Sequence, residues 1–85
     1  MAYRVVLLQS AARELDALPQ PMRRRVARAI GALATEPRPP GVKLLSGPER
    51  IWRVRVGDYR VLYRVDDDRV VVMVVRVRHR LDAYR

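Results

Sequence analysis

The chain has 85 residues, 49% of them hydrophobic and 32% charged, and a formal net charge of +9. This length fits one small domain over residues 1–85, and the apolar content excludes a disordered basic tail. Cysteine is absent and histidine occurs once, which excludes disulfides, thiolate metal sites and an ordinary structural zinc site.

Residues 3–8 form a short apolar run that predicts a buried strand. Ser10 has the chemistry of a helix N-cap, and Ala11, Ala12, Leu15 and Leu18 then recur at helical spacing. Pro19 stops this helix. Pro21 suits the first turn of a second one, whose apolar stripe is Met22, Val26, Ala29, Ile30 and Leu33. Arg23, Arg24, Arg25 and Arg28 lie largely off that stripe. Pro37 marks the end of the second helix, and the two helices read as a hairpin. A stiff Pro-rich connection follows, with a short extended piece at 43–45.

Three strands complete the pattern: 51–56, 59–65 and 70 to about 78. Residues 70–75 are apolar on both faces, which suits a central strand, and the first strand belongs beside it. The predicted fold class is α+β: a small antiparallel-rich sheet with the N-terminal helical hairpin packed on one face, in the order β-α-α-β-β-β. No run of eighteen apolar residues exists and the N-terminus lacks a signal-peptide core, so the expectation is a cytoplasmic protein with no membrane partner.

Ile51-Trp52-Arg53-Val54-Arg55-Val56-Gly57-Asp58-Tyr59-Arg60-Val61-Leu62-Tyr63 reads as two alternating strands about a two-residue turn. That turn pairs Val56 with Tyr59 and Arg55 with Arg60. Arg53, Arg55, Arg60, Leu62 and Arg64 then share one face, while Trp52, Tyr59 and Tyr63 lie on the other, under the helices. Like charges directly opposite on a sheet are unfavourable, so this face is suited to an anion, and phosphate fits best. Arg76, Arg78 and Arg80 join it if a three-residue loop pairs Val65 with Arg69. A turn one residue longer sends them to the other side. His79 and Tyr84 are the residues near this end with proton-transfer or stacking chemistry. Asp66, Asp67 and Asp68 read as a solvated turn, and no Ser/His/Asp set or glycine-rich phosphate loop is present.

These segments resemble the RelE/ParE toxin superfamily of type II toxin–antitoxin systems, the RelE-like branch above all. The resemblance rests on Lys43-Leu44-Leu45-Ser46-Gly47, on the Gly57-Asp58-Tyr59-Arg60-Val61-Leu62-Tyr63 core, on residues 70–75 and on Arg78-His79-Arg80-Leu81-Asp82-Ala83-Tyr84. It implies a ribosome-dependent mRNA endoribonuclease in which a ribose 2′-OH attacks the adjacent phosphate without metal or cofactor. By that likeness Arg60 and Arg80 polarise the scissile phosphate and Tyr84 stacks on or orients the nucleotide. Arg53 and Arg55 hold the RNA backbone, at positions where the family often has lysine. His79 is a possible proton carrier. Arginine grips phosphate in a fork but is a poor proton donor or acceptor. The resemblance also implies an acidic antitoxin, contact with the ribosome and mRNA, and operator DNA only through the antitoxin complex. A ParE-like inhibitor of DNA gyrase, or a non-catalytic basic nucleic-acid-binding module, would share the same charge and fold.

Overall fold

The computed structural model describes residues 2–81. The first apolar run forms β1 (Arg4–Leu7), and the chain then enters α1 (Gln9–Asp16) and α2 (Gln20–Ala32). Four further strands follow: β2 (Lys43–Leu44), β3 (Trp52–Val56), β4 (Tyr59–Asp66) and β5 (Val71–His79). They assemble into one sheet in the order β1-β5-β4-β3-β2, with β1 parallel to β5 and every other pair antiparallel. The expected α+β arrangement is therefore present, and the extended piece at 43–45 is realised as the short edge strand β2.

The helices cover one face of the sheet by turning their apolar stripes onto it. Ala11 of α1, Val26 and Ile30 of α2, and Leu33 just beyond α2 are buried against Val61, Tyr63, Val72, Val74 and Val77. Each such aliphatic side chain removed from water contributes about 1.5–3 kcal/mol before the ordering entropy is counted. Tyr63 is fully buried, and its hydroxyl donates to the Pro37 carbonyl at 2.7 Å. That bond ties the connection after α2 to the centre of the sheet. A second tie lies at the surface. Arg38 forks onto Asp67 at 2.8 and 3.1 Å and lies 5.1 Å over the Trp52 ring, while Tyr3 donates to Asp67 at 2.7 Å.

Two local expectations are corrected. Ser10 is not the N-cap: α1 starts two residues earlier, with Leu8 in the cap position and no side-chain cap. The reason is that Leu8 donates its N–H to Val74, so β1 pairing runs directly into the helix and leaves Ser10 in the first turn. There its Oγ donates to the Val75 carbonyl at 3.3 Å. The second correction is that α2 ends at Ala32, well before Pro37, and residues 33–35 continue as turn.

The β3–β4 hairpin has the expected register, Val56 opposite Tyr59 and Arg55 opposite Arg60. Gly57 has φ +59 while Asp58 keeps a negative φ, the pattern of a type II′ turn with glycine at its first central position. The β4–β5 turn is the longer of the two expected options, with Asp66 opposite Val71. By period alone it would put Arg76 and Arg78 on the helix-covered face. A register shift reverses that outcome. Tyr63 pairs with Val74 but Leu62 pairs with Arg76, so Val75 is an extra residue with no opposite number. Arg76 and Arg78 are thereby returned to the face of Arg60. The bulge falls where β1 ends and α1 begins, and Ser10 holds its carbonyl.

Candidate functional site

The face away from the helices carries two transverse rows of side chains. Residues directly opposite in a sheet share a face, so the first row is Lys43, Arg53, Leu62 and Arg76, drawn from β2, β3, β4 and β5. The second row is Arg55, Arg60 and Arg78, drawn from the three strands β3, β4 and β5. Six of these seven side chains are cations. Their repulsion is tolerated because the backbone ladders and the packed opposite face fix the strands independently of it.

Arg53 departs from the expected solvated face, being only 6% exposed. The edge strand β2 and the Pro40-Gly41 segment close over it. Burial lowers its guanidinium pKa from the ordinary value, and the neighbouring charges of Arg55 and Arg60 lower it further. Arg60 is half-buried, and among the described residues its Nε, itself shielded from solvent, meets no acceptor. A shielded donor with no partner costs about 1–3 kcal/mol, and an incoming anion relieves that cost.

The β5 arginines are held by a carboxylate that alternation along the strands does not reveal. Glu14, on α1, reaches the β5 edge beyond the end of β1. Its Oε1 accepts the Val77 N–H at 2.9 Å, and its Oε2 accepts from Arg76 Nη1 at 3.3 Å and Arg78 Nη1 at 3.0 Å. Arg80 lies past the end of β5. Its N–H donates to the Asp58 carbonyl at 2.7 Å, and its Nε is 3.7 Å from Asp58 Oδ1, at a largely exposed surface. Arg80 thus sits at the hairpin tip, one step beyond the Arg55–Arg60–Arg78 row. His79 falls opposite Tyr59, with the rings edge to face at 5.3 Å, on the face away from Arg60. Its Nδ1 accepts the Leu81 N–H at 3.3 Å. Tyr84 lies outside the described residues.

Structure therefore brings Arg53, Arg55 and Arg60 together as the alternation predicts, and adds Lys43, Arg76 and Arg78. Such a surface can bind phosphate oxygens and stabilise charge that grows on them. The Asp66-Asp67-Asp68 turn gathers on no common centre. Asp66 accepts the Arg69 N–H and Asp67 is engaged by Arg38 and Tyr3.

Comparison with known proteins identifies the family. The family model for the ParE toxin of type II parDE toxin–antitoxin systems matches residues 5–84. The toxin RelG of Mycobacterium tuberculosis is 38% identical, with all of this chain and 99% of that one aligned. The fold superposes with a TM-score of 0.84 on an archaeal RelE–RelB complex from Pyrococcus horikoshii, at 32% identity over 98% of this chain and all of that one. A TM-score of 0.80 relates it to the RelBE2 toxin–antitoxin complex of M. tuberculosis, at 34% identity over 93% and 99% of the two chains. The chain belongs to the RelE/ParE superfamily of type II toxin–antitoxin toxins.

Proposed function

We propose that this toxin is a ribosome-dependent mRNA endoribonuclease that acts without metal. The observation that carries the reading is the Arg55–Arg60–Arg78 row, in which the shielded Arg60 Nε meets no acceptor among the described residues. The ribose 2′-oxygen attacks the adjacent phosphorus and the bond to the 5′-oxygen breaks, leaving a 2′,3′-cyclic phosphate and a 5′-hydroxyl. Negative charge grows on the phosphoryl oxygens as this happens. Fixed guanidinium donors stabilise it with little reorganisation.

Arg60 and Arg80 take the scissile phosphate, Arg55 holds the adjoining backbone, and the buried Arg53 adds positive charge beneath them. The 2′-OH must lose a proton and the 5′-oxygen must gain one. His79 has that chemistry but lies on the face away from Arg60, so the role falls to Tyr84, which also orients the base. Support for RNA as the target comes from relatives named RelG and RelE. The cognate antitoxin is an acidic protein that covers this face, as RelB partners the solved RelE structures. Operator DNA is bound only through that complex.

Inducible expression of wild type beside Arg60→Ala and Tyr84→Phe, with mapping of mRNA ends, tests the reading. Wild type should arrest growth and cut within codons at the ribosomal A site. Arg60→Ala should lose about a hundredfold in cleavage while remaining folded. Equal toxicity in all three discards the site. The matched family model describes ParE toxins, which favours gyrase as the second reading. Inhibited supercoiling with intact ribosome-bound transcripts would establish that one instead.

A further inference from the structure

Glu14 is the acid that meets the arginine rows from outside the sheet, and its placement is specific. It lies 62 to 64 residues away in sequence from the three groups it binds. One oxygen takes the place of a missing neighbouring strand by accepting the Val77 N–H. The other gathers one Nη1 from each of Arg76 and Arg78. Both flanking arginines are thus held through a single nitrogen. Arg78 meets Glu14 through Nη1, so the three N–H groups of its Nε and Nη2 stay outside that ion pair. Arg78 in turn lies directly opposite Arg60, and Arg60 directly opposite Arg55.

We propose that Glu14 is a positioning residue: it holds the Arg78 guanidinium beside Arg60, so that the second row forms a three-arginine phosphate cradle with Arg78 as a contact residue. This rests on the mRNA-cleavage reading above. A guanidinium anchored before the substrate arrives loses less freedom on binding, and an arginine is among the side chains with most freedom to lose. The carboxylate also offsets part of the mutual repulsion of the row at its β5 end.

The test is a double-mutant cycle in single-turnover cleavage of ribosome-bound mRNA, with Glu14→Gln, Arg78→Ala, the double variant and Arg60→Ala. Glutamine keeps an acceptor for the Val77 N–H, so the edge of β5 stays closed, and amide exchange at Val77 verifies this. Glu14→Gln should slow cleavage about tenfold, the scale of one charge-assisted hydrogen bond. It should add nothing once Arg78 is alanine. Wild-type rates in Glu14→Gln, or the same loss in the Arg78→Ala background, overturn the positioning role. Wild-type protein that leaves the mRNA intact overturns the cleavage reading instead. Binding of a single-stranded RNA oligonucleotide then decides the cradle by itself. Arg78→Ala should flatten the salt dependence by about 0.7 in log–log slope, and Glu14→Gln should weaken binding only while Arg78 is present. Unchanged slopes refute it.

Discussion

Tyr63→Phe isolates one buried hydrogen bond and one titration. The Tyr63 side chain is fully buried, and its hydroxyl donates to Pro37, which is also buried. Removing the oxygen leaves the Pro37 carbonyl without that donor, a loss of about 1–3 kcal/mol at neutral pH. Burial pushes the Tyr63 phenol up to about 12, because the phenolate would be formed away from water. The unfolded chain ionises near 10, so it releases this proton first as pH rises. The stabilisation is complete below about pH 10 and is lost between about 10 and 12. Two pKa units correspond to about 2.7 kcal/mol at most. Urea unfolding of both proteins between pH 8 and pH 11.5 gives the comparison, since other groups titrate equally in each. The stability gap should shrink steadily above pH 10. A gap that stays constant across that range would refute the reasoning, as would one that widens.

Asp67→Asn tests the surface tie between the chain start and the connection after α2. The hydrogen bond from Arg38, and then that from Tyr3, hold the Asp67 carboxyl below the usual carboxylate range. A depressed pKa stabilises the fold above the unfolded value near 4 and loses that effect as pH falls. The variant should therefore melt lower than wild type at pH 7, and the gap should narrow as pH falls below about 4. Gly57→Ala should destabilise by about 1–2 kcal/mol, because φ +59 is costly for any residue with a Cβ. A Cβ there also approaches Met22 Cε to 3.1 Å. Denaturant midpoints measure this, and an unchanged midpoint would discount the turn assignment.

Legibility followed the range of the interactions. The β3–β4 hairpin was readable because a two-residue turn fixes its register and alternation then assigns each face. Residues 70–75 are apolar on both faces, so nothing in their pattern marks Val75 as an extra residue. The bulge arises from tertiary context, where β1 gives way to α1. Glu14 was hidden for a related reason. In the sequence it stands near the positive end of the first helix, and only the fold carries α1 to the edge of β5. Burial of Arg53 likewise needed the covering loop, which local alternation does not describe.

The two sheet faces obey opposite rules, and this separates stability from function. The helix-covered face is satisfied: its apolar side chains interlock and the Tyr63 hydroxyl has a partner. The open face holds Arg60 between Arg55 and Arg78, with a shielded nitrogen that meets no acceptor among the described residues. Two in-register like-charge contacts cost about 0.2–1 kcal/mol each, and the unmet donor adds about 1–3 kcal/mol. Replacing Arg60 by leucine removes both terms and keeps an apolar stem beside Leu62. The variant should be more stable than wild type in urea, by about 1 kcal/mol or more, while losing RNA binding and cleavage. A scaffold arginine would behave in the opposite way, its loss weakening the fold. Arg60→Leu that is destabilised by more than about 1 kcal/mol would place Arg60 among the groups that build the sheet. A more stable and inactive variant means that the sheet holds Arg60 against its own electrostatics for an anion that is not part of the protein.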